Sequence, residues 1–139
     1  MRSSLRVLFT ALGLAAALGL SLAISTSTVE ASAASKLKAY DTDKDGTLDL
    51  KEVTAAAGAT FDALDKDKDG TIDIKELQGR LSKVEFAADD PDHDKTLTKD
   101  EYVAAVVAAF KAADKDNDGK LDEAELKTKE GQVVLRLLK

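Results

Sequence analysis

Apolar side chains recur along residues 34–139 at the spacing of α-helices, and acidic segments of constant length interrupt them. An apolar residue lies four positions before every acidic segment: Leu37, Phe61, Phe86 and Phe110. Another follows directly after every segment: Val53, Leu77, Tyr102 and Leu126. The pattern predicts one domain of repeated helix–loop–helix units, each with a buried helix face on both sides of its loop.

The acidic segments are 12 residues long and align with one another without gaps. They are named loops one to four below, and they occupy residues 41–52, 65–76, 90–101 and 114–125. Their starts are 24, 25 and 24 residues apart. The segment between two successive loops is therefore too short for two full helices and a turn. Residues 50–64 and residues 99–113 are each predicted to form a single helix that leaves one loop and enters the next.

The connection between loops two and three has a different pattern. Ser82 followed by Glu85 forms a capping box that predicts a new helix start, and Gly79 weakens the chain before it. Loops two and three can then lie side by side, so loops one and four meet at the other end of antiparallel helices. A last helix is predicted to begin at Thr128. Short β-bridges are expected through the eighth residue of each loop: Leu48, Ile72, Leu97 and Leu121.

The acidic residues within each loop have the spacing that surrounds a hard cation with oxygen atoms. Such a loop binds through positions 1, 3, 5, 7, 9 and 12, with the backbone carbonyl at position seven and glycine at position six. The segments DTDKDGTLDLKE, DKDKDGTIDIKE and DKDNDGKLDEAE meet these requirements and resemble EF-hand loops. The fold class is therefore predicted to be all-α, a compact domain of four EF-hands with short β-bridges and an unusually short repeat.

Three loops supply the complete set of predicted metal ligands. In loop one these are Asp41, Asp43, Asp45, Thr47, Asp49 and Glu52. In loop two they are Asp65, Asp67, Asp69, Thr71, Asp73 and Glu76. In loop four they are Asp114, Asp116, Asp118, Lys120, Asp122 and Glu125.

Loop three departs from the pattern at two positions. Lys95 replaces the glycine and Thr98 replaces the aspartate at position nine, while His93 occupies a position that binds no metal. Forcing lysine into a left-handed backbone costs about 1–2 kcal/mol, or roughly 5- to 30-fold in affinity. Loop three is therefore predicted to be a weaker site or a structural partner of loop two, beside three strong sites. Its ligands are Asp90, Asp92, Asp94, Thr96 and Glu101.

Composition excludes several other functions. The chain contains no cysteine, which excludes thiolate zinc sites, and its net charge of −6 disfavours nucleic acid as a partner. The sequence contains neither a nucleophile–base pair nor a glycine-rich phosphate loop, so no motif in it suggests an enzyme. The single methionine is the initiator, whereas sensors of the calmodulin kind use methionine in their target grooves. The sequence identifies no protein partner, and we expect a monomer.

The N-terminus has the pattern of an export signal. Arg2 and Arg6 precede an apolar run over residues 7–24, and Ala31-Ser32-Ala33 offers a cleavage site. Residues 1–33 are therefore predicted to be a cleaved signal peptide, with an uncleaved membrane anchor as the alternative. Cleavage leaves residues 34–139 as a periplasmic or secreted protein without a membrane segment.

Four loops at this spacing behind a signal peptide resemble the lanmodulin family of bacterial periplasmic lanthanide-binding proteins. The resemblance extends to DGT(L/I)D in loops one and two, the connector KELQGRLS and the terminal GQVVLRLLK. It implies a periplasmic binder that becomes ordered on binding trivalent lanthanides. Lanmodulin loops carry proline at position two, which here only Pro91 provides.

The physiological ion has two candidates, Ca(II) and a trivalent lanthanide. Loops one, two and four each present five carboxylates, and attraction to such a cage rises in proportion to ionic charge. Two further functions stay open beside a lanthanide carrier. One is a calcium buffer, and the other is a calcium sensor that binds a target protein.

Overall fold

The computed structural model describes residues 26–139, so residues 1–25, which hold most of the predicted signal peptide, lie outside the described part. No helix within residues 26–139 is long and apolar enough to cross a membrane. Six helices and four short strands follow one another within these residues: α1 (Thr26–Tyr40), β1 (Leu48–Asp49), α2 (Leu50–Leu64), β2 (Thr71–Asp73), α3 (Lys83–Asp89), β3 (Thr96–Thr98), α4 (Lys99–Ala113), β4 (Lys120–Leu121), α5 (Glu123–Leu126) and α6 (Lys129–Leu137).

Helices α2 and α4 confirm the prediction that one helix joins two successive loops. Each has the predicted bounds, and each begins with a reciprocal capping box at the end of the preceding loop. Asp49 caps α2 together with Glu52, and Thr98 caps α4 together with Glu101. The last residues of both loops therefore serve as the first turn of the shared helix.

The loops pair as the spacing predicted. Strands β1 and β4 are antiparallel and place Leu48 of loop one opposite Leu121 of loop four. Strands β2 and β3 place Ile72 of loop two opposite Leu97 of loop three. All four of these side chains are fully buried, so each short sheet closes one end of the core.

The helix–loop–helix prediction is wrong at the exit from loop two, where residues 74–79 form turns. Gln78 and Gly79 both have left-handed backbones, with φ of 50° and 78°. Two such residues end any helix, because the left-handed conformation cannot continue the hydrogen-bond ladder. The predicted restart is confirmed, since Ser82 and Glu85 form the capping box of α3.

The core contains the apolar residues that flank the loops. All eight are buried: Leu37, Val53, Phe61, Leu77, Phe86, Tyr102, Phe110 and Leu126. The last helix, α6, begins at the predicted N-cap Thr128 and packs on α4 and α5. Gly131 permits that contact, because a Cβ there would lie 2.1 Å from the backbone oxygen of Glu125. Helix α6, which follows loop four, is therefore packed closely against the end of that loop.

The last carbonyl groups of α6 accept hydrogen bonds from distant parts of the chain. The Tyr102 hydroxyl of α4 donates to the Leu137 oxygen at 2.5 Å, and the Tyr40 hydroxyl of α1 donates to the Leu138 oxygen. Thr60 of α2 also donates to the Leu138 oxygen, at 3.2 Å. These bonds satisfy carbonyl groups that a helix end leaves without partners, and they connect α6 to three other helices.

Candidate metal centres

The structure gathers the first carboxylates of every loop into a cluster. In loops one, three and four, oxygen atoms from positions one, three and five lie within 4.8 Å of one another. In loop two the corresponding cluster joins Asp65 and Asp67 with the closing Glu76, and Asp69 lies outside it. Such a density of negative charge is unfavourable until a cation neutralises it or hydrogen-bond donors stabilise it.

A left-handed residue at position six produces the turn that forms each cluster. The φ angles are 85°, 89° and 85° at Gly46, Gly70 and Gly119, and 72° at Lys95 of loop three. Each of these backbone N–H groups donates to the position-one aspartate of its loop at 3.0 or 3.1 Å. Lys95 therefore adopts the geometry of a glycine, with the steric cost that a Cβ brings.

Position four is also left-handed in every loop, which sequence reasoning missed. The φ angles are between 58° and 60° at Lys44, Lys68, His93 and Asn117. Asparagine and histidine tolerate this conformation better than lysine does, so loops three and four have the more suitable residues here.

The closing glutamate is bound to both ends of its loop in loops one, two and four. In loop one, the backbone N–H of Thr42 donates to one Glu52 oxygen at 2.6 Å, and that of Asp49 donates to the other at 3.1 Å. Although burial raises the pKa of Glu52, these bonds and that of the Thr42 hydroxyl outweigh it, so the pKa is lowered. Glu52 is therefore held as a carboxylate at the edge of the cluster.

Loop three lacks half of this arrangement. Pro91 has no N–H to donate from position two, and Glu101 accepts bonds only from the N–H and hydroxyl of Thr98, both at 2.8 Å, within the part of the chain described. One Glu101 oxygen is thus free of the backbone contact that the other loops make.

The aspartate at position nine has a structural role besides the predicted one. Asp49 and Asp122 are the N-caps of α2 and α5, and Asp73 accepts the same bond from the Glu76 N–H at 2.8 Å. None of the three belongs to a carboxylate cluster among residues 26–139. One oxygen of each side chain caps the backbone, and the other is left to approach an ion directly or through water.

Buried oxygen atoms without donors provide a test of whether these loops fit a cation. Within the described residues, Asp65 Oδ1 and Asp90 Oδ1 are buried and accept no hydrogen bond. An ionised oxygen in that position is costly unless a positive charge lies beside it. In loops one and four the equivalent oxygens of Asp41 and Asp114 accept backbone N–H bonds at 3.1 and 3.2 Å. The residues present therefore suit a hard cation, most clearly in loops two and three.

A lysine from loop four reaches a predicted ligand of loop one. Lys120 Nζ donates to Asp45 Oδ2 at 2.5 Å, across the strand pair that joins the two loops. This bond and those from Thr47 lower the pKa of Asp45 to about 2, and the same contact raises the pKa of Lys120. Sequence reasoning assigned only the backbone carbonyl of Lys120 to a function and had no signal for the side chain.

Comparison with known families agrees with this geometry. The EF hand family model matches three segments, residues 36–55, 58–82 and 106–128, which contain loops one, two and four. The search of curated proteins gave no match. The family matches and the acidic clusters together support the assignment of this chain to the EF-hand superfamily, whose members bind metal ions such as calcium.

Proposed function

We propose that this protein captures hard metal ions in its four loops and acts as an exported binder or carrier. The observation that carries the proposal is the pair of buried, donor-free oxygens at Asp65 and Asp90, each within a carboxylate cluster. A cation is the simplest group that satisfies such an oxygen, and carboxylates are the ligands that Ca(II) and the lanthanides share. The residues that would hold it are those at the six predicted positions of each loop.

Loop three is proposed to be the weaker site. Lys95 has the left-handed backbone that the other loops give to glycine, and its side chain adds a positive charge to the loop. Thr98 also removes the carboxylate that the other loops provide at position nine. Both features reduce the gain from binding a cation, so three strong sites and one weak site are proposed.

The proposed ions are Ca(II) and trivalent lanthanides, with the trivalent ion favoured. The argument is the fifth carboxylate in loops one, two and four, because each added negative charge attracts a trivalent ion half as much again as a divalent one. Replacing Asp49, Asp73 and Asp122 by asparagine tests this, since asparagine preserves an N-cap. If each Asn weakens Ca(II) about tenfold, it should weaken La(III) about thirtyfold. Equal losses for both ions would leave a calcium binder.

The small number of exposed apolar side chains favours a carrier over a sensor. Among large apolar side chains of the described residues, only Leu50 and Val84 are exposed, and they lie on different helices. A sensor that holds a target helix needs a continuous apolar groove, usually rich in methionine. The apolar residues of this chain are instead used in its own core.

Titration with Ca(II) and La(III), monitored by circular dichroism and by NMR, tests the function. The position-six glycines give one amide signal for each of loops one, two and four, so filling is observed loop by loop. We expect helix content to rise as ions bind, because metal neutralises the crowded carboxylates. Full helicity without metal and no response of any glycine to either ion would contradict the proposal.

A further inference from the structure

Position seven distinguishes loop four from the other loops. Loops one, two and three have threonine there, and its hydroxyl donates to the position-five aspartate of the same loop at 2.5 to 2.8 Å. Loop four has Lys120, whose side chain extends to another loop. Because an EF-hand ligand at this position is the backbone carbonyl, the side chain is available for a different role.

The strand pairing determines where the Lys120 side chain goes. Lys120 lies opposite Asp49 in the β1–β4 pair, which brings its ammonium to Asp45 in the facing loop. Asp45 consequently has donors on both oxygens, with Thr47 on Oδ1 and Lys120 on Oδ2. The Oδ2 atoms of Asp69 and Asp94 accept no hydrogen bond among the described residues, although their Oδ1 atoms are bound as in loop one.

An ion that binds loop one must therefore displace the ammonium or share the carboxylate with it. Both outcomes place a positive charge beside the incoming cation, and the resulting repulsion grows with the charge of the ion. Lys120 and Asp45 are largely solvent-exposed, so screening keeps the effect modest. We propose that Lys120 of loop four is an internal competitor that weakens loop one for metal ions. The proposal rests on the metal-binding function proposed above.

The test compares two lysines of loop four. Lys120→Gln removes the ammonium that contacts Asp45, and it keeps a polar, slightly shorter side chain and the backbone carbonyl. Lys115→Gln removes one charge from the same loop, but Lys115 Nζ lies 3.8 Å from Glu130, which is not a predicted ligand. Ca(II) is added to each full chain while the amide signals of Gly46, Gly70 and Gly119 are recorded.

We expect Lys120→Gln to lower the Gly46 midpoint by about three- to tenfold, more than it lowers that of Gly119. Lys115→Gln should change the Gly46 midpoint by less than about twofold, and Lys120→Arg, which keeps the charge, should lower it less than Lys120→Gln does. Equal effects of the two glutamine variants on Gly46, or a larger effect of Lys120→Gln on Gly119, would show that Lys120 acts only through net charge and would overturn the inference. A wild-type chain in which no glycine responds would overturn the metal-binding function as well.

Discussion

The two pairs of loops differ in how their carboxylate oxygens are bound. In loops one and four, groups of the chain itself donate hydrogen bonds to oxygens whose counterparts in loops two and three have no donor among the described residues. Asp41 and Asp114 accept backbone bonds, and Asp45 accepts the Lys120 ammonium. Asp65 and Asp90 each have a buried oxygen with no donor among the described residues. The two pairs of loops therefore share a sheet geometry and differ in how many of these carboxylate oxygens the chain itself supplies with donors.

The difference predicts which pair depends more on metal. Donors within the chain stabilise the carboxylates of loops one and four before any ion arrives, and an incoming ion must displace these donors or share the carboxylates with them. The buried Asp65 and Asp90 oxygens of loops two and three have no such donor among the described residues, so an ion would supply all of the compensation that these two oxygens receive. We therefore expect the second pair to change more in order and stability on metal binding than the first.

The largest effect is expected from removing a closing glutamate. Glu76→Gln in loop two and Glu125→Gln in loop four each delete a carboxylate that binds through two oxygens, and should weaken the affected loop at least about 100-fold. Because paired loops share a sheet, Glu76→Gln should also weaken loop three more than loop one. Isothermal titration together with the backbone amide signals of the four position-six residues, Gly46, Gly70, Lys95 and Gly119, measures both effects. Equal weakening of loops one and three would mean that the pairs do not act as units.

An intermediate effect is expected at Lys95. Lys95→Gly should relieve the left-handed strain and strengthen loop three by about 5- to 30-fold in metal affinity. Lys95→Ala is the matched control, because it removes the same charge and keeps the Cβ that causes the strain. Titration of the two variants with metal separates the contribution of backbone strain from that of the lysine charge. Equal gains for both would assign the effect of Lys95 to its charge and not to backbone strain.

The smallest effect is expected at the hydroxyl of Tyr102, which follows loop three. Tyr102→Phe removes its hydrogen bond to Leu137 and should cost about 1–2 kcal/mol of unfolding free energy. Tyr40→Phe, beside loop one, should cost less, because Thr60 also donates to the Leu138 oxygen.

The same substitution changes the dependence of stability on pH. Burial raises the pKa of Tyr102 to about 12, from 10 for an exposed phenol. The folded state therefore retains a proton that the unfolded state has lost, so stability falls as pH rises from about 10 to 12. Tyr102→Phe should show a smaller fall, with the contribution of Tyr40 left, because burial raises the pKa of Tyr40 as well. Denaturant unfolding at pH 9 and pH 11.5 with saturating Ca(II) measures it, and an equal loss in wild type and variant would contradict the assignment.

Sequence patterns predicted the elements that depend on near neighbours. Apolar spacing and capping residues determined the bounds of α2 and α4, the start of α3 and the pairing of the loops. Position-one to position-five clusters also follow from local spacing. Two features were missed although they are local: the left-handed residues at position four and the N-cap role of Asp49 and Asp122. Both result from backbone constraints that the ligand pattern conceals.

Other features depend on residues far apart in the chain. Lys120 and Asp45 are 75 positions apart, and only the β1–β4 pairing brings them together. The missing helix after loop two follows from Gln78 and Gly79, of which only Gly79 carries a visible signal. The convergence of hydroxyl groups on the end of α6 required the packed core and could not be inferred from periodicity.

That convergence gives the protein an internal optical label. The chain contains no tryptophan and two tyrosines, so Tyr40 and Tyr102 provide all of its strong ultraviolet emission. Both hydroxyls donate to carbonyl oxygens at the end of α6. Tyrosine fluorescence and near-ultraviolet dichroism therefore report the docking of α6 onto α1 and α4, and Tyr40 lies directly beside loop one. Metal binding could be monitored in the unmodified protein by its intrinsic tyrosine fluorescence, without a dye or an added fluorophore.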